Sequence, residues 1–449
     1  MVERERPAGR LPRALAAAHR DLSRGRTPRR VKESTTVTTP ITRDDCAARD
    51  AADPLAPFRD EFVLPDGVVY LDGNSLGALP RATPARVAEL VEREWGQRLI
   101  ASWNEAGWWD KPRTLGALLA PLVGAGADEV VVGDGTSANL FKTLVAALRL
   151  NPGRRVVVAE AGNFPTDLYI AQGVAELFDG ASVRRADVDD AAALAAALEP
   201  GDAAVVLLSH VDYRTGVLRD MAAVTELAHA HGALVVWDLC HSVGALPVEL
   251  SRAGADFAVG CTYKYLNAGP GAPAFTYVAR RHHERARQPL SGWHGHARPF
   301  DFAGEYEPAA GASRFLSGSQ PLVAAAALEA SLELWQRVDL DQVRAKSLAL
   351  TDLFLEVTAA AGLECVTPLE HARRGSQVAL RHADGYAMVQ ALIARGVVGD
   401  FRAPDILRFG FAPLYLRHVD VYDAATALVE VVASEEWRDP RFARRAQVT

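Results

Sequence analysis

From Arg86 onward two hydrophobic rhythms alternate along the chain. Short, nearly continuous apolar runs are bounded by Gly, Asp and Asn, and between them lie longer stretches whose apolar residues recur every three or four positions. The first suits strands buried on both faces and the second suits the helices that cover them, so their alternation is that of βαβ units around a mostly parallel sheet. The pattern predicts strands over 129–132, 155–159, 203–208, 233–237, 256–260 and 274–278, with helices over 138–148, 166–178, 191–198 and 221–231. After about Phe315 the pattern changes to long helices over 322–338 and 342–361. A smaller α/β unit follows, with strands over 377–381 and 406–410 and helices over 386–395 and 419–432.

This reading divides the chain into a large domain over 51–315 and a small C-terminal domain over 316–449, with 51–100 as an N-terminal arm packing on the small domain. Residues 1–50 are arginine-rich with Thr and Pro and carry no sustained stripe beyond Leu15 to Leu22, so they are expected to be a disordered tail. An organelle transit peptide is the alternative there, opposed by Glu3, Glu5 and Asp21.

Composition narrows the function. A chain of 449 residues, 49% of them hydrophobic, can bury a large core, while a net charge of −7 without a basic stripe argues against nucleic acid as partner. No apolar run is long enough to span a bilayer, so no membrane association is expected and a cytoplasmic location fits. The four cysteines, Cys46, Cys240, Cys261 and Cys365, have neither CxxC spacing nor a disulfide-framework pattern, and no metal site is expected.

Lys264 carries the most informative chemistry. The run 256–260 delivers it, and 26 positions earlier Val235-Val236-Trp237 delivers Asp238. A strand-end lysine paired with a strand-end aspartate suits pyridoxal 5′-phosphate (PLP): the amine forms a Schiff base with the aldehyde, and the carboxylate keeps the pyridine nitrogen protonated. Taken singly, Lys264 reads more often as a solvated loop lysine and Asp238 equally as a helix cap; the pairing sets them apart. Gly133-Asp134-Gly135-Thr136-Ser137 joins a strand to a helix, where backbone N–H groups and the Thr136 and Ser137 hydroxyls can cradle a phosphate or simply cap the helix. Asn163-Phe164-Pro165-Thr166-Asp167 places a ring and a carboxylate at a strand's carboxyl end, where open α/β sheets bind ligands. Leu290 to His296 is a glycine-containing loop whose Trp293 indole N–H can donate to an anion.

Together, Tyr70-Leu71-Asp72-Gly73-Asn74-Ser75-Leu76-Gly77, Phe164-Pro165-Thr166-Asp167, Asp238-Leu239-Cys240-His241, Tyr263-Lys264-Tyr265-Leu266-Asn267-Ala268-Gly269 and Gly292-Trp293-His294-Gly295-His296 resemble the kynureninase family of fold-type-I PLP enzymes. The resemblance runs in order over about 55–435. It implies Lys264 as covalent anchor, Asp238 at the pyridinium with His241 beside it, and Phe164 stacked on the ring. It implies Thr136, Ser137, Tyr263 and Trp293 at the phosphate, with Asp167 and Ser209 completing the pocket. Ser319 resembles a cofactor-site position contributed across a homodimer interface, so shared active sites are implied. Arg408 matches the arginine that takes the substrate's α-carboxylate, a bidentate task for which Lys is a poor substitute. Ser75, Gly318 and Trp103 are expected at the substrate, Trp103 near its aryl ring. Two departures stand out: family members often have Ala in place of Cys240, and bacterial ones often have Cys and Thr in place of Ser317 and Ser319.

The activity implied is PLP-dependent hydrolysis of L-kynurenine or its 3-hydroxy form to anthranilate, or 3-hydroxyanthranilate, and L-alanine. Lys264, Tyr263 and Asp238 are the expected catalytic residues, with Tyr263 moving a proton at the γ-carbonyl at a lowered pKa. The alternative is another fold-type-I activity, a cysteine desulfurase or an aminotransferase. A desulfurase needs a mobile nucleophilic cysteine, whereas Cys365 sits in a strand-like context. A PLP-sensing regulatory module without turnover would need a DNA-reading domain, for which the N-terminal segment is too short.

Overall fold

A computed structural model describes residues 41–445. The chain from Thr42 onward forms one compact unit. Its centre is a seven-stranded sheet of β1 (Val130–Val132), β2 (Val156–Glu160), β3 (Ser182–Ala186), β4 (Ala203–Ser209), β5 (Leu234–Asp238), β6 (Phe257–Gly260) and β7 (Phe275–Val278). The spatial order is β1-β7-β6-β5-β4-β2-β3. All neighbours run parallel except β7, which is antiparallel to both β1 and β6. The middle strands are buried on both faces, as in Val205-Val206-Leu207 and Val235-Val236. That double burial requires continuous apolar sequence rather than alternation.

The strand β3 has no counterpart in the sequence reading. It is an edge strand, Ser-Val-Arg-Arg-Ala, only half covered, with Arg184 paired to Asp202. Polar residues on an edge discourage pairing with another chain and also erase the apolar signal. The helices α1 (Arg43–Ala51), α2 (Thr136–Leu150), α3 (Pro165–Ala175), α4 (Ala191–Leu198) and α5 (Met221–Ala230) precede or connect strands. Beyond them, α6 (Leu322–Trp335) and α7 (Leu340–Thr358) lead to a second, four-stranded sheet. That sheet holds β8 (Glu364–Cys365), β9 (Gln377–Arg381), β10 (Asp400–Arg402) and β11 (Ile406–Gly410) in the order β8-β9-β11-β10, with every neighbouring pair antiparallel. The last long helix, α9, spans His418–Ser434, after α8 at Gly385–Ala394.

The expected disordered tail lies outside the described residues as far as residue 40. Its last part is helix rather than coil, which corrects the boundary at 50. Thr42 and Asp45 form a capping box on α1. Asp50 accepts hydrogen bonds from the backbone N–H groups of His418 and Val419 and so closes the start of α9. Val69 and Tyr70 of the arm pair parallel with Val397 and Val398 in a separate two-stranded sheet, and Asp72 bridges Gly410 of β11.

Candidate active site

At the carboxyl ends of β2, β4 and β5 the chain opens a cavity of about 240 Å³ lined by Thr136, Ser137, Phe164, Thr166, Asp167, Ser209, Tyr213, Asp238, Cys240, His241, Tyr263 and Lys264. The lining residues sit at strand ends, in the loops after them or in the first turns of helices. Asp238 and Ser209 close β5 and β4, which pair residue for residue there. Thr136 and Ser137 begin α2, whose first turn has no side-chain cap and so leaves N–H groups to aim at a ligand. Lys264 sits in the loop after β6. Gly77 of the arm packs against it so closely that a Cβ would strike the Lys264 carbonyl, and the Gly77 N–H donates to Tyr263 O at 2.8 Å.

Lys264 Nζ lies 2.8 Å from His241 Nε2. Burial, then the Lys264 and Arg408 charges, push the His241 pKa well down, so the imidazole is neutral and Nε2 accepts from the ammonium. The Cys240 N–H donates to Asp238 Oδ1 at 2.7 Å and fixes that carboxylate. Opposite stands Asp167, pushed well up by burial and then by the Asp238 charge. Ser209 Oγ donates to Asn163 Oδ1 at 2.8 Å, and its N–H donates to Glu160 Oε2 at 3.1 Å. Glu160 in turn holds Arg219, a buried pair bracing the wall from behind.

Several buried polar atoms here have no hydrogen-bond partner among the described residues, including Asp167 Oδ2 and His241 Nδ1. Two carboxylates facing one cavity, an orphaned oxygen on one of them and an uncapped helix start fit a ligand that is cationic at one edge and anionic at another. A protonated pyridine carrying a phosphate meets that requirement. Phe164 is 42% exposed into this space and is held edge-on by Tyr213 at 5.1 Å, so its face is free to stack.

Nine of the expected residues thus meet in one cavity: Thr136, Ser137, Phe164, Asp167, Ser209, Asp238, His241, Tyr263 and Lys264. Arg408 adjoins it through Tyr213, whose carbonyl accepts from Nη1 at 2.6 Å. Its Nε donates to Asp400 Oδ1 at 2.8 Å and its Nη2 to Asp400 and to Ser75 Oγ, the latter at 2.8 Å. Ser75 donates to Asp400 Oδ2 at 2.8 Å, so Ser75 and Arg408 share one cluster. Arg408 is 1% exposed and paired with Asp400 in this buried cluster.

Trp293, Trp103, Gly318 and Ser319 stand apart from that lining. Trp293 packs with Trp103 at 6.0 Å and with Trp109 at 5.0 Å in an aromatic cluster that continues to Phe300. One expectation is corrected outright: burial, then the neighbouring Cys261 and Cys240, push the Tyr263 pKa up rather than down. Tyr263 is therefore a phenol and not a phenolate. Tyr213 and Asp400 went unnoticed in the sequence. Tyr213 follows no strand directly, and only the meeting of the two sheets brings Asp400 to Arg408.

Residues 343–428 match the family model described as kynureninase C-terminal domain, and 100–255 match that of the DegT/DnrJ/EryC1/StrS aminotransferase family. A curated relative named kynureninase from Burkholderia mallei (strain SAVP1) is 52% identical over 416 residues, covering 91% of this chain and all of the relative. A kynureninase from Pseudomonas fluorescens shows the same identity and coverage. Among solved structures, the apo cysteine desulfurase of Thermococcus onnurineus NA1 superposes with a TM-score of 0.72 at 18% identity, over 84% of this chain and 98% of that one. That likeness is one of fold.

Proposed function

The chain belongs to the kynureninase family, and from that premise we propose how its own residues carry the reaction. It is a PLP-dependent hydrolase of a carbon–carbon bond beside a ketone: L-kynurenine, or its 3-hydroxy form, and water give anthranilate, or 3-hydroxyanthranilate, and L-alanine. The observation that carries this reading is 52% identity across 91% of the chain.

In the bound state PLP supplies a sink for the electron pair released when the substrate's Cβ–Cγ bond breaks. Lys264 would hold the cofactor covalently, and its Nζ, beside neutral His241, would take the proton from the substrate Cα. Asp238, fixed by the Cys240 N–H, would hold the pyridine nitrogen protonated, with Asp167 on the same cavity wall. Thr136, Ser137 and the start of α2 hold the phosphate, and Ser209 and Phe164 bound the ring. Tyr263, as a phenol, donates to the γ-carbonyl oxygen while water adds at that carbon and the aryl carboxylate departs. Arg408 receives the α-carboxylate with Ser75 alongside.

We further propose that two copies assemble so that Trp293, Trp103, Gly318 and Ser319 of one complete the cavity of the other. Trp293, Phe300 and Phe302 are 39%, 62% and 83% exposed, an apolar surface of the kind a second copy covers. No helix among the described residues is long and apolar enough to cross a membrane, and we place the enzyme in the cytoplasm, acting in tryptophan breakdown. Cys365 lies in β8 with Sγ donating to Thr367 O at 3.4 Å, which leaves a desulfurase without its mobile nucleophile. Incubating the holoenzyme with L-kynurenine should give anthranilate fluorescence, and with L-cysteine no sulfur release; the reverse pattern would discard the hydrolase reading.

A further inference from the structure

Two thiols that the reaction does not use stand in and behind the wall of the cavity. Cys240 follows Asp238 by two residues and Cys261 precedes Lys264 by three. β5 and β6 run parallel with Asp238 opposite Val259, and the Leu239 N–H extends the pairing to Val259 O at 2.8 Å. The same register sets Cys240 across from Cys261. The Cys261 N–H donates to Cys240 Sγ at 3.2 Å, and Cys261 Sγ lies 3.9 Å from Cys240 O. Neighbouring strands are ~4.8 Å apart, within the roughly 4.4–6.8 Å between Cα atoms that a disulfide spans. Both cysteines are free thiols. Cys240 lines the cavity, whereas Cys261 is sealed behind it at 2% exposure.

Their electrostatics differ. Burial opposes ionisation of Cys261, but the hydrogen bond from Cys240 and the Lys264 charge outweigh it and lower that thiol's pKa. The same hydrogen bond, then burial, raises Cys240. A thiolate-prone sulfur beside a protonated one is the arrangement in which the first can resolve an oxidised form of the second.

We propose that Cys240 and Cys261 form a reversible disulfide when a peroxide enters the cofactor cavity. The Cys240 proton passes along its hydrogen bond to Cys261, and the cavity-facing Cys240 thiolate takes one oxygen from hydrogen peroxide, giving a sulfenic acid and, as Cys261 gives up that proton to the hydroxide released, water. Cys261 Sγ then attacks that sulfur, the S–S bond forms, and the displaced hydroxide leaves with a proton as the second water. The sulfurs lose two electrons and the peroxide gains them. The bond draws Cys240 Sγ away from the Cys261 N–H and from Thr136 Oγ1, which lies 4.0 Å off. It also displaces the Cys240 N–H that fixes Asp238. Oxidation therefore acts on the carboxylate facing the ring nitrogen.

The test is peroxide titration of the holoenzyme followed by dithiothreitol, read by non-reducing peptide mass spectrometry, cofactor absorbance and activity. The expected result is one linked peptide pair joining Cys240 to Cys261, lighter by two hydrogens, with a shifted cofactor band and lost activity that the reductant restores. Cys261→Ala should show no linked pair and instead an added oxygen on the Cys240 peptide, while Cys365→Ser should show the linked pair and the reversible loss. Absence of the linked pair in the unsubstituted enzyme, a linked pair that persists in Cys261→Ala, or a loss that reductant does not reverse would each overturn the proposal. Should Cys261→Ala fail to fold, the linked pair in the unsubstituted enzyme decides alone. That peptide readout is independent of whether kynurenine is the substrate.

Discussion

At Tyr263 the balance of burial against charge decides the chemistry. The ring stands beside Lys264, whose Nζ is 5.9 Å from its centroid, yet desolvation and the neighbouring thiols dominate and keep the hydroxyl protonated. Tyr263→Phe should keep the cofactor absorbance and lower kcat by roughly 10²–10⁴-fold, the span of a lost general acid. A variant with unchanged kcat would remove Tyr263 from the proton path. Arg408→Lys loses the fork that two oxygens of a carboxylate require. Hydrogen bonds to a charged group contribute about 1.5–3 kcal/mol, so KM should rise by roughly ten- to a hundredfold with the cofactor spectrum unaltered; an unchanged KM would contradict its role. At this scale much of the site was legible. Asp238 ends a strand, Lys264 and Phe164 follow one in a loop and Asp167 lies in the first turn of α3, each inside a short motif where sequence neighbours are also spatial neighbours. The protonation of Tyr263 was not, because its burial, the largest cause, and the approach of Cys240 arise only through folding.

Between elements, the meeting of the N-terminal arm with β10 and β11 produces a pH-sensitive cluster. Burial, then the Asp400 charge, raises the Asp72 pKa to about 7, while Arg408 nearby holds Asp400 ionised. Below pH ~7 Asp72 is neutral, and above it a second negative charge appears beside the arginine that receives the substrate's carboxylate. KM for the amino-acid substrate should therefore rise as pH passes upward through about 7, and Asp72→Asn should flatten that rise. A KM profile identical in the two enzymes would show that Asp72 does not titrate there. None of this was readable from periodicity, since Asp72 and Asp400 lie on segments that only the fold brings together. Elements of the core were readable: β9 and β11 fall at the expected residues because apolar runs bounded by turns define them. The edge strand β3 escaped because its outward residues are polar.

For the whole molecule, a cavity with nine expected residues in one chain and four standing apart is the ground for the proposed dimer with shared sites. Light scattering should give the mass of two chains, and Trp293→Ala should weaken cofactor retention. A monomer with full activity would contradict the shared-site account. The central claim is that Lys264, in this cavity, holds the cofactor. It is tested most directly by reducing the holoenzyme with borohydride and mapping the modified peptide. The account predicts the pyridoxyl mass on Lys264 and on none of Lys32, Lys111, Lys142 or Lys346. The label on another lysine, or on none, would contradict it.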